Sequence, residues 1–452
     1  MKVTAVLLAA GQGTRMKSSL PKVLHPLAGK PMLWHVLQAM QHVSNDKPMV
    51  VVGHGSDQVE AFVGDSARCV LQNPQLGTGH AVMQVAPHLK GKTDYVLVTY
   101  ADMPLLQGKV FQQLVEGQKK NSGPLTLLTV IAENPRGFGR IVRKDDGTVG
   151  AIVEEFVASP EQLLIKELNV GAYCFSADWL WEALERIEMS PKGEYYLTDT
   201  IELAVSEGLP VQALVHEDLL ETIGINTRVH LAEAETAMRQ RLNRELMLAG
   251  VTLQDPAATY IDAGVKIGRD TRILPNTHIE GNTVIGEGCV IGPGSHIRDS
   301  QVGYGCKVFM SIMEGALLEE EVEIGPFARL RKGAHLARGV HMGNFGEVKE
   351  SHLGQGVKMG HFSYIGNATI GANTNIGAGT ITCNYDGEQK HSTEIGEQVF
   401  IGSDTMLVEP LKIGKGARTG AGAVVTKDVP EDSLAVGMPA RVIRKLRKRD
   451  SS

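Results

Sequence analysis

Residues 324–353 read IGPFARLRKGAHLARGVHMGNFGEVKESHL. Ile324, Leu330, Leu336, Met342 and Val348 return there at every sixth position. The same return continues outward through Ile279, Ile285, Ile291 and Ile297 on one side, and through Leu353, Met359 and Ile365 on the other. A last set runs Ile395, Ile401, Leu407 and Ile413. An α-helix repeats roughly every 3.6 residues and a coiled coil roughly every seven, so neither produces this spacing. A parallel β-helix does, because each short strand turns one aliphatic side chain inward before a corner. Glycine often follows the aliphatic residue and relieves crowding at the corners. Steps of five join the sets at Ile297 to Val302, Val348 to Leu353 and Ile365 to Ile370. The run from about Val265 to Val425 therefore predicts a solenoid of hexapeptides.

A chain of 452 residues exceeds one ordinary core and suits two or three domains. The aromatic content of 5% and the 51 glycines fit a narrow solenoid with little room for rings. A net charge of −6 argues against general nucleic-acid binding. The basic cluster of Arg441, Arg444, Lys445, Arg447, Lys448 and Arg449 reads as a solvated tail. Cysteines 69, 174, 289, 306 and 383 form no CxxC pair, so neither zinc nor a disulfide framework is expected, and reduced thiols in the cytoplasm are. Val3 to Leu8 is too short an apolar run for a membrane span and reads as a buried first strand.

The first half alternates strands and helices in an α/β doubly wound pattern. Strands are expected at Lys2–Leu8, Met49–Val52, Tyr95–Thr99 and Thr126–Ile131, with helices at Met32–Gln41 and Val110–Lys120. The first strand runs into Ala9-Ala10-Gly11-Gln12-Gly13-Thr14-Arg15-Met16, and Pro21-Lys22 follows. Such a loop presents backbone N–H groups to a phosphate, and Arg15 and Lys22 supply fixed positive charge behind it. Asp102 ends the strand at Tyr95–Thr99. It is equally a magnesium ligand or the cap of a turn before Pro104. Arg228 to about Ala249 reads as an amphipathic helix with Leu231, Met238, Leu242 and Leu246 on one face, Thr227 as N-cap and Gly250 as stop. The expected division is a first domain at 1–226, a linker helix at 227–250 and a solenoid with its tail at 251–452.

Departures from the hexapeptide rule mark places for chemistry. Arg331 and Lys349 are eighteen apart, one coil of three hexapeptides, and should stack as two cations on one wall. His361 does not occupy an inward slot. The run Cys383-Asn384-Tyr385-Asp386-Gly387-Glu388-Gln389-Lys390-His391 breaks the period and reads as a loop leaving the wall.

The hexapeptide half resembles left-handed parallel β-helix proteins. The opening loop resembles the signature of sugar-1-phosphate nucleotidyltransferases. The segments Gln72–Ala81, Gly137–Ile141, Glu167–Gly171 and Gly193–Asp199 narrow the match. With the hexapeptide half they resemble the bacterial family of bifunctional N-acetylglucosamine-1-phosphate uridylyltransferases and glucosamine-1-phosphate N-acetyltransferases.

The resemblance implies that Leu8, Ala9, Ala10 and Gly11 lie against the nucleotide and that Gln72, Gly77 and Thr78 read its base. Arg15 and Lys22 would face the triphosphate, and Asp102 and Asn226 would hold Mg²⁺. Gly139, Glu154 and Asn169 would bind the N-acetylglucosamine unit. Ala101 stands where the family has glycine. In the second half His361 would be the general base, with Glu347 as its orienting partner. Arg331, Lys349, Tyr364 and Asn375 would hold glucosamine 1-phosphate, joined by Asn384 and Tyr385. Ala378, Asn384, Tyr385, Ser403 and Ala421 would lie along acetyl-CoA, and Lys390 would add a phosphate contact. Met438 stands at the family's C-terminal CoA-contacting arginine, with Arg441 nearby as a substitute. The implied co-substrates are UTP and acetyl-CoA, and the implied assembly is a homotrimer with neither nucleic-acid nor membrane partners. Two other readings are a one-reaction nucleotidyltransferase with a regulatory β-helix and a non-catalytic scaffold.

Overall fold

The structure, a computed structural model, describes residues 1–41 and 43–445. Arg447, Lys448 and Arg449 of the basic tail lie outside the described residues. The chain divides into two compact units, Met1–Met238 and the part from Arg239 onward.

The first unit is built on β1 (Val3–Leu8), β2 (Met49–Val52), β3 (Arg68–Leu71), β4 (Tyr95–Tyr100), β5 (Leu125–Ile131), β6 (Arg140–Arg143), β7 (Val149–Val153), β8 (Glu167–Ser176) and β9 (Val211–His216). The main sheet has the order β9-β5-β8-β4-β1-β2-β3. β1 is parallel to β2 and β4, β2 to β3, and β5 to β9. β8 runs antiparallel between β4 and β5. Every position of β1 is buried, as a strand with parallel neighbours on both sides requires. The expected strands are present, with ends within a residue of those read from the sequence, and helices occupy Met32–Met40 and Gly108–Lys120. Because Leu8 pairs with Val51 and Tyr100, the loop after β1 and the turn carrying Asp102 emerge at the same sheet edge. Ligands bind at such carboxyl ends.

The helix Arg228–Leu248 starts where Thr227 accepts the His230 amide at 3.2 Å. It stops at Gly250, which has φ +98. The unit boundary falls inside it, at Met238. The buried positions are Ala234, Ala237, Met238 and Asn243, whereas Leu231, Leu242 and Leu246 are half-buried. The apolar stripe thus differs from the one read by counting leucines. Small residues are inside, and buried Asn243 donates from Nδ2 to the carbonyls of Pro256 and Thr259 at 2.8 and 3.0 Å, while its Oδ1 has no partner among the described residues.

The second unit is a left-handed parallel β-helix with three parallel faces. The first face starts at Thr252–Leu253, the second at Thr259–Ile261 and the third at Lys266–Ile267. Inward residues of successive coils stack in register: Ile279 on Ile297, Leu330 on Val348, Leu336 on Leu353 and Met342 on Met359. All eight are buried. The five-residue steps fall at corners between the second and third faces. Asp299, Glu350 and Asn367 adopt left-handed φ there, at 47, 46 and 50. A corner one residue shorter turns more sharply, and the left-handed residue provides that turn. The aliphatic column of the second face is broken by buried Thr382, whose hydroxyl accepts the Gly366 amide at 2.7 Å.

One charge in this wall is buried against its nature. Glu409 is 8% exposed. It accepts the Thr393 hydroxyl, and its second oxygen has no partner among the described residues. Burial pushes its carboxyl up to about 7, partly offset by the Thr393 hydrogen bond. A folded pKa above the unfolded one means a contribution that is complete below the ordinary carboxyl value and lost as pH rises through about 7. Glu409→Gln is therefore expected to raise the melting midpoint relative to the parent at pH 8.5 and to leave it level at pH 4. Thermal melts at both pH values check this, and an offset independent of pH would contradict it.

Candidate active sites

The loop after β1 and the start of the helix Thr78–Met83 enclose a cavity of about 470 Å³ lined by Leu8, Ala9, Ala10, Gly11, Lys22, Gln72, Gly77, Thr78 and Asp102, among others. Of the residues expected against the nucleotide, Leu8 to Gly11, Lys22, Gln72, Gly77 and Thr78 are in this wall, and Arg15 is not. Gln12, Gln75, Tyr100 and Glu194 line it too, without having been assigned a role from sequence. Gln72 donates to the Gly77 carbonyl at 2.9 Å, and the Thr78 hydroxyl accepts the Leu197 amide at 3.0 Å. Gly13 has φ +61, and a Cβ there would lie 2.6 Å from Lys22 Cβ. Glycine is thus needed for Lys22 to cross behind the loop.

A second cavity, of about 170 Å³, is lined by Gly139, Glu154, Asn169 and Asn226. Both cavities include Tyr100 and Asp102 in their walls, so the two cavities meet there. The Tyr100 hydroxyl is hydrogen-bonded to Thr78 and Tyr173, and burial raises its pKa, with Glu154 and Asp102 adding to the effect. Tyr173 in turn accepts from Asn169 at 2.7 Å. The irregularity in β8 between Asn169 and Tyr173 lets the strand bend around this chain of hydrogen bonds. Burial also raises the Glu154 carboxyl, opposed by the Thr198 hydroxyl at 3.3 Å.

At the meeting point the Lys22 ammonium donates to Asp102 and, at 2.7 Å, to Asn226 Oδ1. Arg15 donates to the same Asn226 oxygen at 3.0 Å. Two oxygen ligands from distant parts of the sequence thus converge on one cation, here the ammonium. That donor set suits Mg²⁺, which takes oxygen ligands and keeps several waters. It does not suit a metal that prefers sulfur or nitrogen. Among the described residues, no three or more His, Cys, Asp or Glu side chains gather to hold a metal. Ala101 is fully buried, so the methyl in place of the family glycine points into the core.

Sequence reasoning quoted Arg140 within a motif without giving it a task. Its side chain is 2% exposed and pairs with Glu155 at 2.9 Å. The same Nη1 donates to the Phe138 carbonyl. The Gly139 carbonyl meanwhile accepts the Asn169 amide at 2.8 Å. Arg140 therefore ties Phe138, in the loop that lines the second cavity, to Glu155 beyond β7, while the Gly139 carbonyl ties the same loop to β8. The hydrophobic motif around it hid this role, because only the fold shows that an arginine two residues beyond Phe138 turns back on it.

In the β-helix, the pairing of Leu330 with Val348 carries Arg331 directly onto Lys349. Lys390 returns from the loop, reaching Glu350 at 3.6 Å. The proximity of Lys390 depresses the Lys349 ammonium, with Arg331 contributing in the same direction. Three cations thus gather on one wall. Tyr364 and Asn384 join them over Gly366, where an added Cβ would lie 2.5 Å from Tyr364 Oη and 2.8 Å from Asn384 Nδ2. Asn384 donates to Asn367 at 2.7 Å. Tyr385 is 62% exposed on the loop, whose turn is held by Asp386 accepting from Glu388, Gln389 and His391.

His361 sits at the corner between the first and second faces. Tyr364, Ile381, Met406 and Val424 pair in register on successive coils. His361, Ala378, Ser403 and Ala421 each lie three residues before one of them and therefore form one column of corner residues. Asn375 is not in the cationic cluster. It lies on the first face, between Lys358 and Phe400. Glu347 is a correction. It pairs with Tyr364 in register and accepts from Arg331 at 3.0 Å. His361 forms no hydrogen bond or ion pair among the described residues. A mid-strand carboxylate beside a stacked guanidinium meets that cation rather than the corner imidazole. Met438 is exposed, and Arg441 belongs to the closing hairpin Ser433–Gly437 and Ala440–Lys445, opposite Val436.

Residues 5–191 match the family described as the MobA-like NTP transferase domain. Residues 264–299 and 392–427 match the bacterial transferase hexapeptide (six repeats). The bifunctional protein GlmU of Geobacillus sp. (strain WCH70) is 47% identical over 98% of this chain and 96% of its own. That of Syntrophomonas wolfei is 48% identical over 96% of this chain and 97% of its own. The Acinetobacter baumannii (strain AYE) protein of the same name is 46% identical over 96% of each. By descent as well as by fold, the chain belongs to the family of the bifunctional protein GlmU.

Proposed function

We propose that the chain catalyses two consecutive reactions of UDP-N-acetylglucosamine synthesis, one in each unit, in the cytoplasm. The observation that carries this reading is the junction of two cavities at Tyr100 and Asp102, with oxygen ligands and cations gathered at it. In the first unit, a phosphate oxygen of N-acetylglucosamine 1-phosphate attacks the α-phosphorus of UTP. The new O–P bond forms as the bond to the β-phosphate breaks, and pyrophosphate leaves. Gln72, Gly77 and Thr78 receive the uracil. Gly139, Glu154 and Asn169 orient the sugar so that its phosphate meets the nucleotide near Asp102. Lys22 and Arg15 offset the charge of two anionic reactants. Asp102 and Asn226 would hold Mg²⁺, which when bound neutralises phosphate charge.

In the β-helix the amine of glucosamine 1-phosphate attacks the thioester carbonyl of acetyl-CoA. His361 accepts the amine proton, the C–S bond breaks, and CoA leaves as its thiol once protonated. An imidazole without a competing partner suits that task near neutral pH. Arg331, Lys349 and Lys390 receive the sugar phosphate, with Tyr364 and Asn384 beside them. The corner column of Ala378, Ser403 and Ala421 offers backbone to the CoA chain. These residues and Asn375 occupy two faces and one corner of a prism, so a neighbouring prism is required to enclose the substrates. That requirement supports a homotrimer.

Each unit is expected to fail alone. Asp102→Asn should lower uridylyl transfer by about 10²–10³-fold while acetyl transfer stays near the parent rate. His361→Ala should lower acetyl transfer by about 10²–10⁴-fold and spare uridylyl transfer. Separate assays of each half-reaction check this, and a variant that loses both activities while remaining folded would sink the two-site reading. Arg140→Lys keeps the charge but not the bridge to Phe138. Its KM for N-acetylglucosamine 1-phosphate should rise about tenfold, the scale of one charge-assisted hydrogen bond. The KM for UTP should stay within about twofold, and equal rises in both constants would refute a role confined to the sugar loop.

A further inference from the structure

The third face of the β-helix carries a side-chain cluster that neither reaction uses. His335, on the strand Ala334–Leu336, pairs in register with His352, on Ser351–Leu353. Their Nδ1 atoms face each other at 3.1 Å, and the ring centroids are 4.5 Å apart. Glu319 accepts from His335 Nε2 at 2.8 Å. The other oxygen of Glu319 accepts the Arg338 amide at 3.0 Å, so the carboxylate is held at both ends. With Nε2–H committed to Glu319, His335 Nδ1 presents a lone pair. In the ion-free arrangement His352 Nδ1–H donates to it.

Coil stacking by itself does not produce this geometry. His278 and His296 also pair in register on successive coils, yet their centroids lie 5.7 Å apart. His296 turns to Glu280 at 3.0 Å, and His278 stacks flat on Tyr260. Among the described residues, only the His335–His352 pair directs two ring nitrogens at each other.

We propose that His335 and His352 form a two-imidazole site for one divalent transition-metal ion of the zinc class, oriented by Glu319. Zinc–nitrogen bonds of about 2.0–2.1 Å at a tetrahedral angle put two ligand nitrogens ~3.3 Å apart, close to the observed separation. A carboxylate on the far nitrogen of a ligating histidine is the usual outer support of such sites. On binding, the His352 Nδ1 proton is exchanged for one on Nε2, so the ring stays neutral. Water completes the coordination, since His335 and Glu319 are 35% and 43% exposed. Mg²⁺ and Ca²⁺ prefer oxygen and are not candidates. The bound ion would staple two adjacent coils.

The test is a calorimetric titration of the full-length chain with Zn²⁺ in excess Mg²⁺, which occupies the oxygen site at Asp102. The parent should bind one more equivalent of Zn²⁺ per chain than His335→Asn or His352→Asn. Glu319→Gln should keep that equivalent with affinity weaker by about 10–100-fold. Co²⁺ should give the parent a visible d–d band that both asparagine variants lack. Retained acetyl transfer, the reaction assigned to the same unit, and an unchanged circular-dichroism spectrum establish that the variants are folded; a variant that unfolds is replaced by His→Gln at the same position. Equal Zn²⁺ stoichiometry in parent and histidine variants would overturn the site. Unchanged affinity in Glu319→Gln would overturn the orienting role.

Discussion

Every feature of the second unit depends on the hydrogen-bonded register between one coil and the next. An amide donates to the carbonyl of the following coil, as Arg272 does to Cys289 and Lys358 to Thr374. The aliphatic residue beside it stacks on its successor, as Ile273 does on Ile291. Once that ladder is fixed, corner and outward side chains have no freedom of height. His361 and the small residues of its column follow from it, as does the seating of Arg331 on Lys349. The loop that carries Asn384 and Lys390 is tolerated for the same reason. The chain leaves after Thr382 and returns in step, with Ile370 stacked on Ile395. A long excursion costs little closure entropy when both ends are held by register.

The first unit solves a different problem, bringing two polyanions to one point. Parallel strands place the loop after β1 and the turn after β4 at one edge. Asn226 arrives from far along the chain, and the Ile225 amide donates to the Asp102 carbonyl at 3.0 Å. The oxygens and cations are therefore assembled before any ligand enters. Preorganised charge of this kind avoids reorganisation during reaction. The hydrogen-bonded series Asn169, Tyr173, Tyr100 and Thr78 joins the walls of the two cavities, so a change on one side is felt by groups on the other.

The fold was largely legible because its information is local. Inward slots repeat in the sequence, and a six-residue aliphatic return has few physical explanations. The buried stripe of the helix Arg228–Leu248 was less legible, because alanines and Asn243 fill it according to what they pack against. From spacing alone Asp102 was open between ligand and cap, and the family resemblance chose ligand; its meeting with Asn226 and Lys22 is one that sequence separation conceals. Glu347 was read as the partner of His361 from the resemblance, whereas coil stacking puts it beside Arg331. Arg140 escaped notice because the carbonyl it serves becomes its neighbour only through the bend before β6. The His335–His352 pair was invisible because seventeen-residue spacing means contact only after coil length is known.

The central claim is that one chain carries two separable sites acting in order. The most direct measurement supplies glucosamine 1-phosphate, acetyl-CoA, UTP and Mg²⁺, and then omits each in turn while the products are resolved by chromatography. Without UTP, free N-acetylglucosamine 1-phosphate and CoA should accumulate; without acetyl-CoA, almost no UDP-sugar should form. Uridylyl transfer to unacetylated glucosamine 1-phosphate at the full rate, or the absence of CoA release under every condition, would contradict the account.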